Sequence, residues 1–152
     1  MQTLARMCPT EDILLDIDIQ NRAQLFDRTA QHIRARHGLD GHVPDRVAER
    51  LTEREKLGST ALGQGVAIPH ARIPDLQHPV AVFIRTAQPI PFDAPDGKPV
   101  GLLFTLLVPE HATQEHLQLL ADAARLFCER SCREQLRAAP TPLDIRRVLL
   151  DA

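Results

Sequence analysis

The stretch VGLLFTLLVP, residues 100–109, decides the fold class. Its apolar residues follow one another instead of alternating with polar ones. A strand covered on one face alternates; a strand buried on both faces reads as a continuous apolar run. Residues 100–109 are therefore predicted to form a central strand, ended by Pro109, and both of its faces need cover.

Working outward, PVAVFIRTA contributes a β-rich run from Val80 to Thr86. Ile90 and Phe92 predict a short separate edge piece, because Pro89 and Pro91 cannot donate to a central ladder. APDGKP, between that piece and Val100, reads as a turn. Earlier still, VAIP is a short strand signal bounded by Gly65 and Pro69, and Pro69 is expected to end it.

Helices flank these strands. In NRAQLFDRTAQHIRARHG, Asn21 can cap and Gln24 completes a capping-box pattern. Ala23, Phe26, Ala30 and Ile33 keep helical spacing, and Gly38 is a natural stop. Pro44 suits the first turn of a second helix through DRVAERLTEREKLG, ended by Gly58. Val47 and Leu51 face inward there, and Arg50 and Arg54 lie four apart on a neighbouring stripe. After Pro109, Thr113 caps a third helix with an apolar stripe of Leu117, Leu120, Ala121, Ala124, Phe127 and Cys128. Shorter helices are predicted at Arg133–Ala138 and Pro142–Leu150. Helices on both sides of a strand-rich middle predict an α/β fold, a β-sheet covered by helices, as one domain over residues 1–152.

A chain of 152 residues needs no disulfide or metal staple. A net charge of -2 argues against a generally basic nucleic-acid binder. Five Phe with no Trp and no Tyr leave little for stacking single-stranded bases. Three cysteines make no disulfide framework. Cys128 and Cys132, four apart on one predicted helix, read as reduced thiols. The start MQTLARMCPTEDILLDIDIQ lacks the apolar core of a signal peptide, and no apolar run approaches the ~20 residues of a membrane span. The expectation is a cytoplasmic protein without membrane insertion.

The candidate site lies in GSTALGQGVAIPHARIP, residues 58–74. Gly63 and Gly65 tolerate positive φ. They make either a tight loop before a strand or a backbone cradle for an anion. His70 falls at a predicted strand end, exposed, where it is either a structural residue or a reactive one. Its neighbours decide the chemistry. Arg54 leads into the loop, Ser59 and Thr60 open it, and Arg72 follows. Arginines and hydroxyls suit a phosphate; a metal needs several His, Cys or carboxylate ligands, and only Asp75 and His78 are near in sequence. Histidine can carry a covalent intermediate, with arginines holding the charge. His116 follows the cap at Thr113. It either donates to an anion as a neutral imidazole or serves the capping turn alone. His32, His37 and His42 read as solvated, His78 and His111 as loop residues.

REKLGSTALGQGVAIPHARI, residues 54–73, resembles the signature of the type-2 enzyme IIA proteins of the phosphoenolpyruvate-dependent phosphotransferase system. PIPFDAPDGKPVGLLFTLLVP, TQEHLQLLADAARLF and CREQLRAA extend the resemblance, which leans to the nitrogen-regulatory branch. It implies a mixed β-sheet covered by helices. It implies that His70 is phosphorylated, that Arg54 and His116 line the phosphate site, and that Ser59 and Thr60 lie beside it. The implied donor is an HPr-like histidine phosphocarrier, with no cofactor or metal, because the phosphoryl group passes from imidazole to imidazole. Regulated targets would be of the potassium-transport or sensor-kinase type. One alternative is a sugar-specific IIA that feeds a fructose- or mannitol-type IIB domain; another is a binding module that is never phosphorylated. Many relatives read IPHGK where this chain reads IPHAR. Ala71 and Arg72 depart from that pattern, so a site role for Arg72 rests on its charge and position.

Overall fold

The computed structural model describes residues 2–37 and 43–151. Helix α1 (Gln2–Met7) and a 3-10 turn (Thr10–Asp12) precede strand β1 (Ile13–Ile17). Helices α2 (Arg22–His37) and α3 (Val43–Lys56) follow. The strands β2 (Ala61–Gly63), β3 (Val66–Ala67), β4 (His70–Ile73), β5 (Val80–Ile90) and β6 (Val100–Pro109) come next. Helices α4 (Gln114–Phe127), α5 (Arg130–Ala138) and α6 (Pro142–Asp151) end the chain. Gly38 and His42 lie outside the described residues.

The six strands form one mixed sheet in the order β1-β5-β6-β3-β2, with β4 also paired to β6. β5 runs antiparallel to β6, whereas β3 and β4 run parallel to it and β1 runs parallel to β5. β6 is the central strand that its apolar run predicts. Leu102, Phe104, Leu106 and Val108 face a layer that contains Leu4, Leu119, Phe127, Leu136 and Ile145. Leu103 and Leu107 face the opposite layer, with Leu25, Phe26, Ile33, Val47 and Leu51 from α2 and α3. The alternation follows the two-residue period of a strand. Both layers are apolar, so β6 has no polar side.

Several expectations need correction. The strand that should end at Pro69 resumes at His70. Val66 and Ala67 pair with Leu102 and Leu103, and His70 to Ile73 pair with Leu106 to Pro109, without change of register. The Pro69 carbonyl accepts from Leu106 N at 2.9 Å, so pairing survives the missing donor. His70 therefore opens a strand and is half-buried. β5 likewise continues through Pro89 to Ile90, which pairs with Val100 across an irregularity. Proline is tolerated there because the last pairing of β1 with β5 is Ile17 with Thr86.

The third helix keeps only part of its expected stripe: Phe127 is buried and Leu120 and Ala124 pack against the core. Leu119, Ala123, Leu126 and Phe127 are its buried residues, while Leu117 is 37% exposed and Ala121 and Cys128 are also exposed. Cys128 ends α4 and Cys132 belongs to α5, so the two thiols do not share a helix. Burial pushes the Cys132 thiol up to about 11 and that of Cys8 up to about 12. All three cysteines are free. At α2, Asn21 Oδ1 accepts from Gln24 N at 2.9 Å as expected, but the Gln24 side chain accepts from Gln20 N and not from its cap.

His32 and His37 are not solvated residues without a role. Asp12 is fully buried, and its Oδ1 lies 2.7 Å from His32 Nε2 and its Oδ2 3.1 Å from His37 Nε2. Arg36 Nε stands 3.7 Å from the same carboxylate. A buried carboxylate needs such partners, and this group ties α2 to the turn ahead of β1.

Candidate functional site

β4 presents the site. It pairs with β6, and Ala71 and Ile73 point into the core on the α2–α3 side. The two-residue period turns His70 and Arg72 the other way. A cavity of about 350 Å³ opens there. Helix α3 supplies Arg50, Arg54 and Leu57 to its lining, β4 supplies His70 and Arg72, and α4 supplies Leu117 and Leu120. Glu53, Ala71 and Val108 complete the lining and Leu57 is 85% exposed, so the cavity combines apolar walls with three arginines and one carboxylate.

The two ring nitrogens of His70 are in different states. Nδ1 lies 2.8 Å from the carbonyl oxygen of Ile68. A carbonyl only accepts, so Nδ1 carries the hydrogen and Nε2 keeps its lone pair. Arg54 Nε donates to that Nε2 at 3.3 Å, and Arg54 Nη1 donates to the carbonyl of Gly58 at 2.9 Å. Burial is the main force that pushes the imidazole below its ordinary titration range, and the Arg54 charge adds to it. The hydrogen bond to Ile68 and the Glu55 carboxylate oppose the shift. The outcome is a neutral imidazole with one bare nitrogen among arginines, the form in which histidine is a nucleophile.

The other candidates separate by position. Arg72 shares the cavity and is exposed. His116 precedes Leu117 in the first turn of α4, and its Nδ1 accepts from Thr113 N at 3.3 Å while Thr113 Oγ1 accepts from His116 N. That leaves Nε2 of His116 as the donor nitrogen. The hydroxyls of Ser59 and Thr60 have partners elsewhere: Ser59 Oγ donates to the Phe92 carbonyl at 2.8 Å, and Thr60 Oγ1 donates to Glu55. Neither residue is in the cavity lining. The glycine pair is a loop and not a cradle. Gly63 and Gly65 take φ of +86° and +79° around Gln64, whose N–H is bonded to Asp96 Oδ2 at 2.9 Å. The turn requires glycine there, and the Gln64 amide is spent on Asp96.

Sequence reasoning missed Glu55, Ile68, Leu57 and Val108 as parts of the site. Nothing local marks an Ile carbonyl or an exposed leucine as functional. Helical spacing places Leu117 and Leu120 in the core; Leu120 does pack against it, whereas Leu117 is exposed at the cavity. Among the described residues, no three His, Cys, Asp or Glu side chains converge to hold a cation.

A family model described as "Phosphoenolpyruvate-dependent sugar phosphotransferase system, EIIA 2" matches residues 6–152. The chain belongs to this type-2 enzyme IIA family. A nitrogen regulatory protein of Pseudomonas aeruginosa is 47% identical over 105 residues, which cover 69% of this enzyme IIA and 68% of that protein. A fructose-specific EIIA component of Haloferax volcanii is 39% identical, covering 73% of each chain. The crystal structure of the nitrogen regulatory protein IIA-Ntr from Neisseria meningitidis superposes with a TM-score of 0.89 at 42% identity, covering 97% of this chain and 99% of that one. The mixed sheet with helices on both faces is thus the fold of known enzyme IIA proteins. No described helix of this enzyme IIA is long and apolar enough to cross a membrane.

Proposed function

We propose that residues 1–152 act as one nitrogen-type enzyme IIA domain that accepts a phosphoryl group on His70 Nε2 from an HPr-like histidine phosphocarrier. The observation that carries this reading is the division of labour on the ring: Nδ1 is committed to Ile68, and Nε2 is bare beneath Arg54. The lone pair of Nε2 attacks phosphorus, the N–P bond of the donor breaks, and the donor nitrogen recovers its electron pair. No proton needs to move. The phosphorylated ring keeps hydrogen on Nδ1 and gains positive character, which the Ile68 carbonyl stabilises. Arg54, displaced from Nε2 by phosphorus, is placed to bind the phosphoryl oxygens, with Arg50 and Arg72 in the same cavity. Ser59 and Thr60 support the loop, and His116 offers Nε2–H from the start of α4.

The apolar rim of Leu57 and Leu117 provides a surface for a carrier to dock on. A phosphoryl group then adds about two negative charges to that surface, enough to make or break contact with target proteins in the cytoplasm. The targets are of the potassium-transport or sensor-kinase type in this reading. Identity is higher to the nitrogen regulatory protein than to the fructose-specific component, 47% against 39%, which favours regulation over sugar delivery.

The test incubates the protein with phosphoenolpyruvate, enzyme I and a histidine phosphocarrier, followed by intact mass spectrometry. Wild type is expected to gain one phosphoryl group and His70→Ala none. A fructose- or mannitol-type IIB domain is then added. Retention of the label supports the regulatory role, and rapid loss to the IIB domain points to sugar delivery. Absence of any gain with competent upstream proteins would leave a binding module.

A further inference from the structure

Glu55 is a carboxylate that the reaction above does not use, and it is only 8% exposed. A charge so placed is costly unless it is bonded. It accepts from Thr60 N at 3.2 Å and from Thr60 Oγ1, and Arg22 Nη1 lies 3.8 Å away as countercharge. It also stands next to Arg54 in the last turn of α3. Successive residues of a helix diverge by about 100°, so Arg54 reaches to His70 while Glu55 reaches to the loop that follows.

Two lines of hydrogen bonds lead from this pair to the imidazole. On one side, the Thr60 carbonyl accepts from Ile68 N at 3.1 Å, and the Ile68 carbonyl accepts from His70 Nδ1 at 2.8 Å. On the other side, Gly58, two residues before Thr60, offers its carbonyl to Arg54 Nη1 at 2.9 Å, and Arg54 Nε reaches His70 Nε2 at 3.3 Å. The backbone closes the same loop: Leu57 N donates to Arg54 O at 3.1 Å and Gly58 N to Glu55 O at 3.2 Å. Both nitrogens of His70 are therefore held through segment 58–60, which the Glu55 carboxylate holds at Thr60 and the Phe92 carbonyl holds at Ser59.

We propose that Glu55 and Thr60 form a positioning clamp that fixes the His70 ring with hydrogen on Nδ1 and Arg54 over Nε2. The proposal rests on the reading of His70 Nε2 as the phosphoryl acceptor. It makes Thr60 a positioning residue and not a phosphate ligand. With the clamp open, segment 58–60 keeps the Ser59–Phe92 hydrogen bond and the Gly58 N bond to the Glu55 backbone carbonyl, but Thr60 loses both of its bonds to the carboxylate, so its carbonyl holds Ile68 less firmly and the Gly58 carbonyl holds Arg54 less firmly. The ring is then free to take the other tautomer, in which Nε2 carries hydrogen and has no lone pair to offer.

The experiment uses the unphosphorylated full chain with ¹⁵N-labelled histidine. The ring nitrogen resonances of His70 report which nitrogen carries the hydrogen, a property that loss of general stability in a folded protein does not move. Wild type and Thr60→Ser should show a single Nδ1–H tautomer, since serine keeps the hydroxyl. Glu55→Ala and Thr60→Val should show resonances displaced toward the Nε2–H tautomer. Their single-turnover rate of phosphoryl uptake should fall tenfold or more while circular dichroism stays that of wild type. Thr60→Val serves alone if Glu55→Ala does not fold. Folded Glu55→Ala or Thr60→Val protein with the wild-type ring spectrum would overturn the clamp and leave the function of His70 standing. A wild-type protein that shows the Nδ1–H tautomer but takes up no phosphoryl group would overturn the function and leave the clamp standing.

Discussion

Arg54 Nε donates to His70 Nε2 across 3.3 Å, so the bare nitrogen of the ring is covered by a guanidinium before any partner arrives. The contact is long for a hydrogen bond, which suits a donor that must be released to phosphoryl oxygens. Arg54→Ala uncovers the nitrogen and also removes the charge that would meet the developing anion. The second effect wins, because a preorganised donor of this kind is worth about 10²–10³ in rate. Single-turnover transfer from a phosphorylated carrier should slow by roughly that factor. Arg54→Lys should recover only part of it, since an ammonium presents its donors from one nitrogen and lacks the planar fork whose Nε and Nη1 reach His70 and Gly58 separately.

The His70 titration carries a sign that can be checked. Burial, then the Arg54 charge, holds the folded imidazole below its ordinary value of 6.5. The unfolded chain therefore binds more protons in the window between the folded value and about 6.5. Stability rises with pH across that window and is lost as pH falls through it. His70→Gln should flatten the urea midpoint over the same window. An NMR titration should place the His70 midpoint below 6.5, and Arg54→Met should move it upward.

α4 gives a paired prediction. Leu119 is buried against the sheet, whereas Leu117 is 37% exposed at the cavity rim. Leu119→Ala should destabilise the fold by about 2–5 kcal/mol. Leu117→Ala should shift stability by no more than about 0.5 kcal/mol. The order reverses for transfer: Leu117→Ala with Leu57→Ala should lower kcat/KM for the phosphocarrier. Urea denaturation and transfer kinetics on the same samples test both halves.

Those two leucines also mark what could be read from the sequence. β6 was legible because burial on both faces leaves a continuous apolar run, and α2 and α3 because their period and caps are local. That Arg54 and His70 meet was legible because both flank the same short loop in the sequence. The outward turn of Leu117 was not, since it has the same helical spacing as Leu120 and Ala124, which do pack against the core. β1, β2 and β4 were not read as strands either. They are three to five residues long and are defined by their pairing partners. Glu55 and Ile68 stayed hidden because a buried carboxylate and a backbone carbonyl act through geometry alone. His32 and His37 read as solvated because their acceptor, Asp12, lies 20 and 25 residues earlier in the chain.

Asp12 supplies a stability test far from the chemistry. Its buried carboxylate holds His32 and His37, with Arg36 close by. Asp12→Ala removes the acceptor, but the histidines and Arg36 left behind are partly exposed, so the loss should be that of a hydrogen bond to a charged group, about 1.5–3 kcal/mol. Denaturant unfolding should show the loss. Circular dichroism of the folded fraction should stay that of wild type, because both sides of the sheet keep their apolar cover.

The central claim is that Nε2 of His70, and not Nδ1 or another residue, takes the phosphoryl group. The most direct measurement phosphorylates ¹⁵N-histidine protein through enzyme I and the carrier and locates phosphorus by ¹⁵N–³¹P coupling. The account predicts coupling to Nε2 of His70, with Nδ1 still bearing hydrogen. Coupling to Nδ1, to a different histidine, or to none would contradict it.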